Sequence, residues 1–360
     1  MQKNIVFFLA LPALILFHCQ KDLTAPEPQS FIWPHASPES QGLDAGRLER
    51  TFDLAGQKPF IHAIVVTRNG YLIGERYYNG TDHNDAHTIR SVAKSLLSAL
   101  YGIALQNGHI VTLDTAMVDY LHEFESSIRD ERLFDITLRH LLTMRGGFDG
   151  DQQILLDVMS SAHWIRSTLA QHLIFDPGSS FRYSTAGTHL LSVALTKATG
   201  QSTRDYAEQV LLDPLGITIR DWQQDPQGYY FGGSDMVMAP RDMARFGWLF
   251  LNGGKLDGKQ IVPFSWVTKS TTPTYTYKSG SWGAIDNVAY GYLWWLGEMN
   301  SYKLQMALGY GGQFIFIFPD LNMVITTACD SQLMDWDAAD AQERAVTEIV
   351  ADGILAAVKN

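Results

Sequence analysis

Strand-forming segments lie near both ends of this chain, and helix-forming segments lie between them. Near the N-terminus, β-rich runs at 61–67 and 71–78 flank Asn69-Gly70, a pair that strongly favours a tight hairpin. Near the C-terminus, aromatic and β-branched residues fill the runs "AYGYLWWLG", "GQFIFIFP" and "NMVITTACD". The simplest arrangement is one antiparallel sheet built from both ends of the chain, flanked by helices.

The middle of the chain, about residues 112–248, is rich in helical patterns and predicts a helical subdomain beside the sheet. A further helix follows Ser91 and ends at Asn107-Gly108, and another is expected after Asp44. These segments predict one folded domain of the α/β (α+β) class over residues 41–360.

The first 19 residues differ from the rest. The apolar run 5–17 follows a single Lys, is too short to span a bilayer of ~30 Å, and is typical of a signal peptide. It ends in "LFHC", where a Leu three residues before Cys19 is similar to the cleavage site of a bacterial lipoprotein. Residues 20–40 contain four prolines and predict a tether.

We therefore expect an exported protein, periplasmic or at the cell surface, attached to a bacterial membrane by a lipid on Cys19. An uncleaved anchor and plain secretion remain alternatives. The net charge of −11, with no basic run, argues against a nucleic-acid partner.

Two further residue types bear on cofactors. Cys19 and Cys329 are the only cysteines, so no disulfide framework is expected, and Cys329 is predicted to be a small buried residue. His83 and His87 stand four residues apart, but no third metal ligand accompanies them. No metal ion or organic cofactor is expected.

Ser91 stands three residues before Lys94, at the start of a helical pattern. On a helix these two side chains share a face, and the partial positive charge of the helix N-terminus stabilises negative charge on the serine oxygen. A desolvated Lys94 could then be neutral near pH 7 and act as a general base. The alternative is an ordinary helix start that Ser91 caps.

A hydrolase that uses a serine and a lysine also needs a group that moves a proton to the leaving group and donors for the oxyanion. Two later stretches of the chain offer candidates. Tyr183 lies between a Pro-Gly turn and a helix, where its phenol can project into a cleft. A glycine-rich turn at 309–312 precedes a strand, so that a bare backbone can approach a substrate and the Gln313 N–H can donate to it. The alternatives are a core tyrosine and a simple turn at the edge of a strand.

Three tryptophans could also shape a cleft. Trp164 is interpreted as a core residue, with a place in the cleft as the alternative. Trp294 and Trp295 alternate across a strand, so at most one of them faces a site.

Taken together, these motifs resemble those of the penicillin-recognising serine hydrolases. Within them the chain is similar to the class C β-lactamase-related branch, which includes serine esterases, D-aminopeptidases and 6-aminohexanoate-dimer hydrolases. The resemblance spans about residues 33–358 and includes "SPESQGLD", "IRSVAKS", "ITLRHLLTMRGG", "DPGSSFRYSTAG", "GGSDMVMAPRDMARFG", "YGYLWW" and "GYGGQFIFIFPD".

The resemblance implies a β-lactamase/transpeptidase-like fold with the site between the sheet and the helical subdomain. By motif, Ser91 is the acylated nucleophile, Lys94 its activating base and Tyr183 the proton shuttle to the leaving group. The third motif aligns with Tyr310-Gly311-Gly312, so that the Gln313 N–H and the Ser91 N–H form the oxyanion hole. Whether Lys94 or a Tyr183 phenolate is the base stays open.

Two positions depart from the motifs of β-lactamases. Thr185 replaces an Asn and offers no amide, and Tyr310 replaces a Lys that meets a substrate carboxylate. We therefore expect a serine hydrolase that forms an acyl-enzyme with a small ester or amide, as in carboxylesterases or 6-aminohexanoate-oligomer amidases. The alternatives are a D-amino-acid or peptidoglycan peptidase, a weak β-lactamase, or a catalytically silent binding lipoprotein; the oligomeric state is left open.

Overall fold

The sheet predicted from the two ends of the chain is present. The computed structural model describes residues 31–277, 280–332 and 335–359. The predicted signal peptide, Cys19 and the first half of the predicted tether lie outside the described residues. In the described part, eight strands form one antiparallel sheet in the order β2-β1-β13-β12-β11-β10-β9-β8.

Two smaller sheets, β3-β5-β4 and β6-β7, accompany the large one. The strands within the described residues are β1 (Ile61–Arg68), β2 (Tyr71–Tyr77), β3 (His87–Thr88), β4 (Asp221–Trp222), β5 (Met236–Met238), β6 (Lys255–Leu256), β7 (Lys259–Gln260), β8 (Tyr275–Thr276), β9 (Asp286–Tyr290), β10 (Trp295–Met299), β11 (Tyr302–Gly309), β12 (Gln313–Phe318) and β13 (Met323–Cys329).

Helices cover the sheet and form the region beside it. Within the described residues they are α1 (Ala45–Gly56), α2 (Val92–Gln106), α3 (Leu138–Leu142), α4 (Asp151–Ser160), α5 (Trp164–Leu169), α6 (Thr185–Thr199), α7 (Thr203–Ala207), α8 (Asp213–Leu215), α9 (Pro240–Leu251), α10 (Phe264–Ser270) and α11 (Trp336–Glu348). A π-helical segment, Glu208–Leu212, joins α7 to α8, and another, Ile349–Ile354, extends α11. None of the helices in the described residues is both long enough and apolar enough to cross a membrane.

The run "QFIFIF" forms the central strand β12, and burial of both faces of this strand explains why the run is apolar almost throughout. Its phenylalanines pack in one core cluster with residues of α1 and α11, whereas Ile315 and Ile317 belong to the cluster that contains α2 and α9. Because successive side chains point to opposite faces, a strand covered on both faces needs apolar residues at every position. The sheet is thus the middle layer of three.

Two predicted boundaries differ from the structure. Residues 31–40 were predicted to belong to the tether, but Trp33 is buried against Val65 and Leu72, and the backbone of Leu72 pairs with Pro34 and Ala36. An indole is large enough to anchor a proline-rich segment, and composition alone cannot reveal this.

The second difference concerns α9, which was counted with the helical subdomain. Gly247 on α9 brings the helix backbone so close to the sheet that an added Cβ would lie 2.6 Å from Val324 and 2.7 Å from Ile315. This helix therefore covers the sheet. Helical periodicity indicates which face of a helix is buried but not which element covers it.

Local expectations are confirmed near the N-terminus. Strands β1 and β2 flank Asn69-Gly70, which both have positive φ angles, as a tight hairpin requires. The Asp44 side chain accepts a hydrogen bond from the Arg47 N–H at 2.8 Å and caps α1.

Gly102 provides a test of the packing that holds α2 in place. An added Cβ there would lie 2.2 Å from Cγ of the buried Trp266. We expect Gly102→Ala to lower the free energy of unfolding by about 1–3 kcal/mol through overpacking, as measured by urea denaturation. Gly46→Ala in α1, where the nearest atoms would be 3.4 Å away, is the matched control and should be neutral or stabilising by up to about 1 kcal/mol. Equal stability of Gly102→Ala and the wild type would contradict this packing.

Candidate active site

Ser91 sits at the N-terminal end of α2, immediately after a strained residue. Arg90 has φ 48°, whereas Ser91 already has helical angles, φ −69° and ψ −3°. Within the described chain, the Ser91 side chain makes no capping hydrogen bond to α2. Its oxygen is therefore not engaged as a helix cap, which was the alternative interpretation of this motif.

The strain at Arg90 is held by contacts from two distant segments. Its guanidinium donates to Asp235 Oδ1 at 2.9 Å and to the Ser331 carbonyl oxygen at 2.8 Å. The Arg90 carbonyl oxygen accepts from the Ala93 N–H at 3.1 Å. Because the peptide is planar and trans, the Ser91 N–H points away from that bond. A strained backbone conformation of this kind persists only where surrounding contacts hold it in place, and such residues are common at functional sites.

Lys94 is buried within hydrogen-bond distance of three oxygen atoms. Its Nζ lies 2.9 Å from Ser91 Oγ, 2.8 Å from Thr185 Oγ1 and 2.7 Å from the Gly233 carbonyl oxygen. Only 1% of the residue is exposed. Burial lowers the pKa of Lys94 to about 8, although the negative charges of Asp151 and Asp235 oppose the shift.

These three contacts fit both protonation states of Lys94, with different roles. The ammonium has three N–H donors and satisfies all three oxygens. The neutral amine keeps two donors, for Thr185 and Gly233, and directs its lone pair at the Ser91 hydroxyl. In that state Lys94 can accept the Ser91 proton.

Asp151 is a member of this network that the sequence analysis missed. Its carboxylate accepts from the Thr185 N–H at 2.6 Å and from the Thr185 hydroxyl at 2.5 Å. Since the Thr185 hydroxyl donates to Asp151, its oxygen is free to accept from Lys94. Burial raises the pKa of Asp151. Thr185, which replaces the Asn of the β-lactamase motif, is thus backed by Asp151, and nothing in the sequence connects these residues, which are 34 positions apart.

Tyr183 lies against the same lysine. Its ring centroid is 4.8 Å from Lys94 Nζ. Burial raises the pKa of Tyr183 well above its usual value, and the nearby Asp151 charge adds to this shift. The phenol is therefore protonated at neutral pH and able to donate.

Aromatic side chains form a wall around Tyr183. Trp295 stacks on the Tyr183 ring with a centroid distance of 5.8 Å and an interplanar angle of 23°. The wall also includes Phe181, Tyr275, Tyr277 and Tyr290. Trp294 instead packs in the core against Phe246 and Phe250. Trp295, the first residue of β10, therefore faces the site and Trp294 does not, in agreement with the expectation that at most one of the pair would do so.

The glycine-rich turn between β11 and β12 lies beside the serine. A Cβ on Gly309 would be 2.3 Å from the Ile89 carbonyl oxygen and 3.2 Å from Arg90 Cβ. Thr327 donates to the Gly312 carbonyl oxygen at 2.7 Å, which fixes the peptide that carries the Gln313 N–H. The buried Gln313 side chain pairs with both backbone groups of Cys329, at 2.8 and 3.0 Å.

Tyr310 lies at the outer side of this turn. Its hydroxyl donates to the Asp335 carbonyl oxygen at 3.0 Å, and its ring meets the edge of Trp336 at 5.0 Å. Tyr310 itself carries no positive charge at the position of the motif lysine, so the turn presents a neutral aromatic side chain there.

The remaining sequence candidates lie elsewhere. Trp164 is 3% exposed and packs against His189 and Phe231, in agreement with the core interpretation. Cys329 is buried, as expected. His87 lies in β3 with its ring 5.2 Å from that of His62. Among the residues that the structure describes, no group of three or more His, Cys, Asp or Glu side chains is arranged to hold a metal ion.

Comparisons with known proteins agree with this architecture. The β-lactamase family matches residues 62–348. The 6-aminohexanoate-dimer hydrolase of Paenarthrobacter ureafaciens is 24% identical over 305 residues, which cover 78% of this chain and 74% of that protein.

Solved structures show the same fold. A Bacillus anthracis protein with the provisional name 6-aminohexanoate-dimer hydrolase superimposes with a TM-score of 0.70 at 21% identity, covering 90% of this chain and 88% of that chain. EstCE1, described as a hydrolase with promiscuous acyltransferase activity, superimposes with a TM-score of 0.68 at 16% identity, covering 84% and 98%. The predicted β-lactamase/transpeptidase-like fold is confirmed, and the chain belongs to the β-lactamase family of serine hydrolases, which includes amidases and esterases.

Proposed function

We propose that this protein hydrolyses a small ester or amide through an acyl-enzyme on Ser91. The observation that carries the proposal is the 2.9 Å contact between Ser91 Oγ and the Nζ of a fully buried Lys94. A serine needs an adjacent base to attack a carbonyl, and a desolvated amine at this distance meets that need.

Lys94, rather than Tyr183, is the base in this proposal. Burial disfavours the charged form of each residue. It therefore lowers the pKa of Lys94, whose charged form is the ammonium, and raises the pKa of Tyr183, whose charged form is the phenolate. Near pH 8 half of Lys94 is neutral, while Tyr183 remains a phenol. Ser91 Oγ gives its proton to Lys94 as it bonds to the substrate carbonyl carbon, and the carbonyl oxygen takes up the electron pair.

The oxyanion is then stabilised by the N–H groups of Ser91 and Gln313, whose peptides are both held by hydrogen bonds to their carbonyl oxygens. Tyr183 protonates the leaving alkoxide or amine and recovers a proton from the Lys94 ammonium. Water attacks the acyl-enzyme along the reverse route, with Lys94 again as the base.

The surroundings of the serine favour an uncharged substrate. The aromatic wall around Tyr183 offers apolar surface, and Tyr310 supplies no positive charge for a substrate carboxylate. The sequence similarity to a 6-aminohexanoate-dimer hydrolase supports an amidase. We further propose export and lipid attachment at Cys19, on the basis of residues 1–19 alone.

Labelling and turnover test the nucleophile directly. We expect a fluorophosphonate to label Ser91 and p-nitrophenyl butyrate to be hydrolysed, with both lost in Ser91→Ala by a factor of at least about 10⁴. The matched control is Ser98→Ala on the same helix, whose hydroxyl donates to the Tyr292 carbonyl oxygen and which should retain labelling. If wild-type Ser91 is not labelled and no ester is hydrolysed, the proposal is wrong. Faster turnover of nitrocefin than of esters would instead favour a β-lactamase.

The pH dependence tests the assignment of the base. Because Lys94 must lose its proton to act, kcat/KM should rise with pH through a limb centred near pH 8 and then level off. Asp151→Asn removes a negative charge that favours the ammonium, so the limb should move to lower pH. Asp157→Asn, on the exposed face of α4, is the matched control. A limb above pH 10 would point to Tyr183 as the base.

A further inference from the structure

Two consecutive side chains of α11, those of Gln342 and Glu343, bind the two peptide groups on either side of Gly311 in the glycine-rich turn. Glu343 Oε1 accepts from the Gly311 N–H at 2.8 Å, and Gln342 Nε2 donates to the Gly311 carbonyl oxygen at 2.5 Å. The same Gln342 amide also donates to the Asp330 carbonyl oxygen at 2.7 Å. Both backbone polar groups of Gly311 are therefore held by one helix.

The turn depends on such external support because its own residues are flexible. Gly311 and Gly312 have φ angles of +79° and +100°, and glycine has the widest conformational freedom of any residue. Helix α11 also approaches from the other side, since a Cβ on Gly312 would lie 3.3 Å from Val346. The next N–H along the chain is that of Gln313, which the proposed mechanism uses for the oxyanion.

The carboxyl group of Glu343 is buried, which destabilises its ionised form. It is 8% exposed, and burial raises its pKa to about 7. On its own helix Asp340 adds to this shift and Arg344 opposes it. On other elements, the charge of Glu343 raises the pKa values of Tyr310, Cys329 and Tyr183, all of which are neutral at pH 7.

We propose that Gln342 and Glu343 are positioning residues for the oxyanion hole, and that ionisation of Glu343 tightens the turn that presents the Gln313 N–H. The inference rests on the proposed function. Hydrogen bonds to an ionised acceptor are shorter and about twice as strong as those to a neutral one. A carboxylate at position 343 therefore fixes the Gly311 peptide more firmly than a carboxylic acid does.

This predicts two ionisations on the acid side of the rate profile. Lys94 and Glu343 must both lose a proton for full activity, so the slope of log kcat/KM for p-nitrophenyl butyrate against pH should exceed 1 just below pH 7. In Glu343→Gln, which cannot ionise, the slope should fall to 1. At pH 9, Glu343→Ala should lower kcat by about tenfold or more with little change in KM, because the oxyanion contact strengthens in the transition state.

Glu348→Gln changes an exposed carboxylate at the end of the same helix and is the matched control; its profile should keep the wild-type slope. A wild-type slope of 1 throughout, or a slope above 1 that persists in Glu343→Gln, would overturn this inference while the proposed function stands. If Glu343→Gln does not fold, the kcat and KM of Glu343→Ala at pH 9 take its place, and a wild-type slope of 1 overturns the inference without any variant. Lack of any Ser91-dependent turnover in the wild type would overturn the proposed function and this inference with it.

Discussion

The burial of the Lys94 amine is the constraint on which the rest of this site depends. An ammonium removed from water must be matched by acceptors, and the fold supplies three, from Ser91, Thr185 and Gly233. These acceptors stabilise the ammonium only in part, because two of them are uncharged hydroxyls and the third is a carbonyl. The amine is thus solvated well enough to stay inside the protein and poorly enough to release its proton near neutral pH.

The fold brings these groups together from distant parts of the chain. Ser91 directly precedes α2 and Lys94 lies on it, Thr185 begins α6, and Gln313 begins β12 after the glycine-rich turn. The two backbone donors are held differently. Arg90 fixes the Ser91 peptide through an ion pair with Asp235, whereas α11 and Thr327 hold the glycine turn. Both donors are held in place without a bound substrate. Electrostatic stabilisation of a transition state requires donors that are organised in advance in this way.

Much of this arrangement follows from the sequence, because local patterns carry it. The Asn69-Gly70 hairpin, the helix after Ser91 and the two-sided burial of "QFIFIF" depend on residues close together in the chain. The motifs likewise place Ser91, Lys94, Tyr183 and Gln313 near one another. Asp151 and Glu343 carry no such signal, since each resembles an ordinary acid on a helix. Their roles arise only because Thr185 and Gly311 fold against them.

The central claim is that Lys94 exchanges its proton near neutral pH inside the folded protein. It can be measured without a substrate, by following the ¹³Cε resonances of isotopically labelled lysine against pH, with Lys94→Arg to assign the signal. We expect the Lys94 resonance to titrate near pH 8, well below the usual value of about 10.4 for a lysine in water. A Lys94 resonance that titrates together with the exposed lysines would contradict the account.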